Sequence, residues 1–418
     1  MKDKVTIAYA YGPQNAGDFA LNLGTINLLS EIYDKENIYM ISRFGEDSPD
    51  FKESKRLLKE YEPDVTLLPC FFDVDRYRQN KIERSLNIGK AAARYLYYAK
   101  IPGTGAFSRL PAIKAINESE FVFCNSGNLF YWNEYRKDLA YLYGILFPFK
   151  YAEKIRRPYG FLPQSIGDIE GTGKLILGDI FKSSEFLTFR EPISKKKFQK
   201  LFDQEHPVFI DTAFFIDSHD EDRAEEILFK TQIDDDFVAI TVRTATLGDL
   251  DSLDSKRSEN IINGLKELID HVLENYDYQV LLVCQTKKDI ESTSLLESMY
   301  EDEDRVKMIE EYNPVVLRSL YEESKLLIAM RLHSAIFSLS AGTPVLGIYK
   351  EEWGPKMPGT LELLNMGDYV LDMSSFDPKK GNEAIDHMIE YNESLSQEIL
   401  ENVNKIKTEL VNFLKEKV

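Results

Sequence analysis

The run LLIAMRLHSAIFSLSAGTPVLGIY, residues 326–349, holds the side chains best suited to chemistry. An apolar strand ends at Met330. Arg331 and His333 follow, two positions apart, so extended backbone would project both to one side. Ser334 is placed to cap the helix that comes next. An arginine fork, an imidazole and the free N–H groups of a helix start together form a site for phosphate or carboxylate. Similar residues recur after other apolar runs. Val5–Tyr11 leads into GPQNAGD, with Asn15, Gly17 and Asp18; Gly17 lets a turn close and Asp18 is a candidate N-cap. Phe121–Cys124 leads into NSGN (Ser126, Gly127, Asn128), and Tyr159–Leu162 into PQSIGD (Gln164, Ser165). Phe186–Phe189 is followed by Arg190, with Glu191 and Pro192 opening a helix. Asp211 follows Val208–Ile210, and Arg243 follows Val238–Val242. A single turn Asn or Asp is usually only a cap, and a single Arg after a strand usually only an ion pair. Capping does not explain three arginines at strand ends, and the recurrence marks a site.

The elements that must position these residues are short apolar strands alternating with amphipathic helices. Further strands are expected at Val65–Leu68, Val280–Cys284 and Val345–Tyr349. Helices are expected at Ala20–Tyr33, Ala140–Glu153, Ile193–Phe202, Ser258–Asn275 and Ser334–Ala341. Strands that are apolar throughout are buried on both faces of a parallel sheet. The repetition therefore predicts an α/β, doubly wound architecture, whose ligands bind beyond the carboxyl ends of the strands. The 418 residues suffice for two domains. The division is expected at the acidic stretch 217–236, between a first domain at 1–216 and a second at 237–388. Residues 389–418 form a C-terminal amphipathic helix, with Leu395, Ile399, Val403, Ile406, Leu410 and Phe413 at helical spacing.

A net charge of −19 makes general binding to nucleic acid or anionic membrane unfavourable, so an anionic substrate needs a local basic cluster. The three cysteines lie far apart and outside any CxxC pair, as expected of reduced thiols in a cytoplasmic protein. No apolar run is long enough for a signal h-region or for the roughly 20 residues of a membrane span. Gly171-Thr-Gly-Lys174 lacks the first glycine and the Ser/Thr of a phosphate loop, and reads as a turn. Asp73/Asp75 and Asp249/Asp251 match a metal-binding DxD pattern, but 70 acidic residues produce such pairs by chance. Neither zinc spacing nor a GxSxG or GxGxxG motif occurs.

NAGD, LPQSIG, FRE, a strand ending in Asp211 before TAFF, and RLHS-x-IF followed by GTPVLGIY resemble, in order and spacing over roughly residues 5–360, the polysaccharide pyruvyl transferase family. The resemblance implies two Rossmann-like domains facing a cleft, as in B-type glycosyltransferases, with the acceptor on the first and the donor on the second. It implies transfer of a pyruvyl group from phosphoenolpyruvate to two hydroxyls of a sugar or lipid-linked glycan, with phosphate released. Phosphoenolpyruvate is then a co-substrate; no cofactor or metal is called for. The acceptor is the one route to a membrane. By resemblance Arg331 and His333 hold the donor phosphate, Arg190 is a second donor contact, and the family's lysine falls at Lys350 or Lys356. Arg243 and the helix start at Ser334 complete the donor side. Asn15, Gly17, Ser126, Gly127, Asn128, Gln164 and Ser165 form the acceptor-side loops. His333 is the candidate general acid, and Asp18 or Asp211 orients or deprotonates a hydroxyl. The chain departs from the family where a Gly-rich turn is replaced by Asn125-Ser126-Gly127-Asn128. Two rival functions share the fold: a glycosyltransferase using a nucleotide sugar, and a catalytically degenerate glycan-binding protein.

Overall fold

The structure, a computed structural model, describes residues 4–70, 110–132, 139–243, 255–354 and 356–418. Two compact units emerge from its contacts. The first comprises Met1–Pro13, Leu21–Phe215 and Glu409–Val418; the second comprises Gln14–Ala20 and Ile216–Thr408.

In chain order the first unit contains β1 (Lys4–Ala10), α1 (Ala16–Ser30, whose first turn counts with the second unit), β2 (Ile38–Ser42), α2 (Pro49–Tyr61), β3 (Thr66–Leu68), α3 (Pro111–Glu118), β4 (Ser119–Cys124), β5 (Gly127–Trp132), α4 (Leu139–Lys154), β6 (Tyr159–Ile169), α5 (Gly171–Lys182), β7 (Phe186–Phe189) and α6 (Pro192–Phe202). The strands are all parallel, in the order β3-β2-β1-β4-β6-β5, with β7 also on β6. Phe123, Phe130, Phe149, Phe161 and Phe189 fill its core and are fully buried. At the C-terminus, Phe413 packs against Phe186 and Phe209, with ring centroids 5.7 and 5.2 Å apart.

The second unit contains α7 (Glu221–Thr231), β8 (Phe237–Thr241), α8 (Ser255–Asn275), β9 (Gln279–Cys284), α9 (Ile290–Ser298), β10 (Val306–Glu310), α10 (Pro314–Glu322), β11 (Leu326–Ala329), α11 (Leu332–Ser340), β12 (Val345–Tyr349), α12 (Lys356–Leu363), β13 (Val370–Asp372), α13 (Pro378–Glu390) and most of α14 (Asn392–Lys417). Its parallel strands run β10-β9-β8-β11-β12-β13. Counted from β8, that is the order 3-2-1-4-5-6 of a Rossmann sheet, which reverses direction between β8 and β11. Every residue of β8, β9 and β11 is buried, which is why these segments read as uninterrupted apolar runs.

The strand readings that fail do so for physical reasons. β2, β5, β10 and β13 were not expected: β5, β10 and β13 lie at sheet edges and are partly exposed or short, whereas β2 is an inner strand of five residues that ends in Ser42. Val208–Ile210 forms only a single bridge, Val208 to Phe189. PQSIGD is not a turn: it lies within β6, whose irregular register carries Gln164 and Ser165 inside the sheet. The acidic stretch 217–236 contains α7, which packs against α10, with the Asp220 amide donating to Ser319 Oγ at 3.0 Å. Cys124 and Cys284 are buried thiols, whereas Cys70 is partly exposed. Among the described residues no helix is long and apolar enough to cross a membrane. Asp73, Asp75, Asp249, Asp251 and the tyrosine-rich stretch 76–98 lie outside the described residues.

Candidate functional site

In the second unit, candidate residues gather at the carboxyl ends of β9, β8, β11 and β12, around the point where strand order reverses. Arg243 lies two residues beyond β8, and Arg331 two beyond β11. Arg331 itself is the N-cap of α11, with extended backbone and no capping side-chain bond. His333 and Ser334 are therefore already helical, a correction to two expectations. The imidazole does not alternate with Arg331 along a strand, and Ser334 does not cap. Ser334 is fully buried; its hydroxyl donates to Gln285 Oε1 and accepts from Tyr321 Oη at 3.2 Å. It serves as a brace between α11, α10 and the segment after β9.

Arg331 is clamped by Asp289, which the sequence reading passed over. Nε donates to Asp289 Oδ2 at 2.7 Å and Nη2 to Oδ1. Arg243 lies over the ring of Trp353, 4.6 Å from its centroid. Burial, with the positive charge of Arg331, lowers the Arg243 pKa to about 10, while Asp289 pulls the other way. The charges of Arg331 and Asp289 thus both act on the Arg243 guanidinium. Lys356 opens α12 just beyond β12.

The loop after β1 reaches the same place. Asn15 caps α1, its Oδ1 accepting from the Gly17 amide at 3.0 Å. Asp18 is thereby displaced from the expected capping role into the first helical turn, where it is partly exposed. Gly17 is pressed against His333. A Cβ built on it would fall inside the imidazole, nearest to Nδ1 and Cγ and only 2.7 Å from His333 Cβ. Gly17 is needed for this contact, not for turn conformation: its φ is not positive. The contact sets the starts of α1 and α11 side by side at the imidazole.

The other candidates belong to a second, drier network in the first unit. Arg190, 3% exposed, donates through Nε to Ser165 Oγ at 2.7 Å and forms an ion pair through Nη1 with Asp211 Oδ2. Asp211, 1% exposed, also accepts from the Ala213 amide at 2.9 Å, so it starts the short 3-10 turn TAFF. Glu191 caps α6 through Ser194, and Ser194 in turn accepts from the Ile166 amide at 2.9 Å. Gln164 Nε2 donates to the carbonyls of Asn125 and Leu162 at 2.8 and 2.7 Å, and Ser126 Oγ to that of Pro163. Asn125 is tied to Asn22 and Thr25 of α1 at 3.0 and 2.6 Å. Gly127, at φ +148, occupies a conformation that favours glycine, and a Cβ there would meet the Tyr11 hydroxyl. Asn128 lies in β5 and is partly exposed. Arg190 and Asp211 thus sit in the first unit, and Arg243, Arg331 and His333 in the second. Asp289, Trp353 and Asn125 left no sequence signal of their own. Asp289 sits where a helix cap belongs, Trp353 follows two glutamates, and Asn125 looks like turn punctuation.

Among known proteins, the family model for polysaccharide pyruvyl transferases matches residues 15–350. No curated protein sequence matches the chain. Several solved structures are similar across nearly its whole length. The UDP-GlcNAc 2-epimerase of Methanocaldococcus jannaschii has a TM-score of 0.55 at 14% identity, covering 92% of each chain. The alpha,alpha-trehalose 6-phosphate synthase of Burkholderia multivorans has 0.54 at 9%, covering 100% of this chain and 98% of that one. The UDP-GlcNAc 2-epimerase of Neisseria meningitidis, bound to UDP-GlcNAc, has 0.52 at 14%, covering 98% and 99%. At these identities the likeness is one of fold: two Rossmann-like domains of the B-type glycosyltransferase kind.

Proposed function

Because the chain belongs to the polysaccharide pyruvyl transferase family, a family of transferase enzymes, we propose that it moves the pyruvyl group of phosphoenolpyruvate onto two hydroxyls of a sugar in a glycan or glycan precursor. The observation carrying this reading is that Arg243, Arg331 and His333 follow the neighbouring strands β8 and β11 at the strand-order reversal of the second unit. A small donor bearing both a carboxylate and a phosphate needs more than one cation, and Arg243 and Arg331 offer two guanidiniums.

In the proposed reaction the methylene carbon of the donor takes a proton and becomes a methyl group. One sugar hydroxyl adds to the neighbouring carbon and loses its proton, and the bond from that carbon to the phosphate oxygen breaks with its electron pair leaving on phosphate. The second hydroxyl then adds to the same carbon and loses its proton, closing the ketal. His333, beside Gly17 at two helix starts, supplies the proton or holds the departing phosphate. Arg331 and Arg243 hold the donor's anionic groups, with Lys356 at the start of α12, and provide the charge stabilisation, so the proposal invokes no metal. Asp18 is the better candidate for orienting a hydroxyl, because it is partly exposed one residue from Gly17, whereas Asp211 is 1% exposed. Arg190 keeps its buried ion pair with Asp211 in the first unit.

The test is incubation with phosphoenolpyruvate and a panel of free, nucleotide-linked and lipid-linked sugars, following phosphate release and the new methyl resonance of the ketal. Arg331→Ala and His333→Ala should each lower turnover by about 10²-fold or more; full activity in both removes these assignments. Thermal stabilisation by nucleotide sugars but not by phosphoenolpyruvate would transfer the reading to a nucleotide-sugar-dependent glycosyltransferase.

A further inference from the structure

Asp289 ends the 3-10 turn Lys287–Asp289 and is the N-cap residue of α9. Aspartate is among the best N-caps, and the bond from its oxygen to a first-turn N–H is worth about 1 kcal/mol. Here the side chain makes no such bond. Both oxygens go instead to Arg331, 42 residues along the chain. The carboxylate is 3% exposed. Burial pushes its carboxyl upward, opposed first by the charge of Arg331 and then by Arg243 and Lys288. A local cap has been given up for a long-range fork inside a low-dielectric site. The fork engages Nε and Nη2 of Arg331 and leaves Nη1 outside it. The negative charge of Asp289 acts on both Arg331 and Arg243.

We propose that Asp289 is a positioning residue of the donor site: it fixes the plane of the Arg331 guanidinium, so that the Nη1 edge is held ready for an anionic group of the donor. This rests on the donor reading above.

A double-mutant cycle tests it with four full-length proteins: wild type, Asp289→Asn, Arg331→Lys and the double variant. Asparagine keeps the volume but turns an N–H₂ toward the guanidinium, and lysine cannot form the fork. Two quantities are read: kcat/KM for phosphoenolpyruvate-dependent phosphate release, and Kd for inorganic phosphate by calorimetry. Melting temperatures confirm folding. Asp289→Asn should lower kcat/KM by about 10- to 100-fold. In the Arg331→Lys background it should add less than about threefold, because the interaction it removes is already gone. A merely structural role would give equal losses in both backgrounds, and such additivity overturns the proposal, as do wild-type values in Asp289→Asn. If Asp289→Asn fails to fold, Asp289→Glu is read in the same cycle. Coupling in phosphate affinity without phosphoenolpyruvate turnover would sink the donor reading and leave Asp289 in its role. Failure of the wild type to bind either anion overturns both.

Discussion

Gly17→Ala should be a substitution whose local and tertiary effects oppose each other. Gly17 lies in the first turn of α1 with helical backbone, and alanine in place of glycine within a helix ordinarily stabilises by about 1 kcal/mol. The new methyl group, however, would sit inside the His333 ring, with even His333 Cβ at 2.7 Å. Ordinary carbon contacts begin near about 3.5 Å, so the imidazole or the helix start must retreat by about 1 Å. A displacement of that size at a reacting group costs on the order of 10²-fold in rate. The expected result is a loss of about 10²-fold in kcat for phosphate release, with secondary structure retained. In a His333→Ala background the same Gly17→Ala change should destabilise less than in the wild type, because the two ring contacts are gone and only the 2.7 Å approach to the Cβ at position 333 remains. Phosphate-release kinetics and calorimetric melting of the four proteins provide the readout. If Gly17→Ala turned over like the wild type, the packing of the two helix starts around the imidazole would have no bearing on catalysis.

Two further predictions concern the buried groups. Asp211→Ala leaves the Arg190 guanidinium buried without its carboxylate and should cost about 3–5 kcal/mol in denaturant unfolding; a loss under about 1 kcal/mol contradicts a buried ion pair. Burial raises the Cys124 thiol well above its ordinary value and pushes Cys284 up to about 11. At pH 8 both are therefore protonated as well as enclosed. Iodoacetamide should label the partly exposed Cys70 first in the native protein and reach the other two only on unfolding, as read by mass spectrometry. Equal native labelling of all three would contradict their burial.

Fold class and element order were legible because a parallel strand buried on both faces must be apolar throughout. β11 and β12 carry that mark along their whole length, and β4, β7, β8 and β9 along most of it. Edge strands such as β10 and β13 lack it and were invisible. The site was legible as a list of polar residues following strands, since doubly wound sheets put ligands there. The division of roles within that list was not legible. Arg190 and Arg331 look alike in sequence, yet one is 3% exposed in a buried ion pair and the other is forked by a carboxylate after the neighbouring strand β9. Asp289, Asp18 and Asp211 all look like helix or turn caps, and only Asp211 keeps that duty, through the Ala213 amide.

By itself the sequence determined the periodicities, and with them the two parallel sheets and the strand ends where polar residues collect. Tertiary structure decided which of those residues meet. Gly17 and His333 are 316 positions apart, and no pattern along the chain joins them. Their contact exists because residues 14–20 belong to the second unit and because glycine alone leaves room for an imidazole there. Local propensity acts over a few residues, whereas charge pairing and steric exclusion act through space, and the chemistry of this protein depends on the latter.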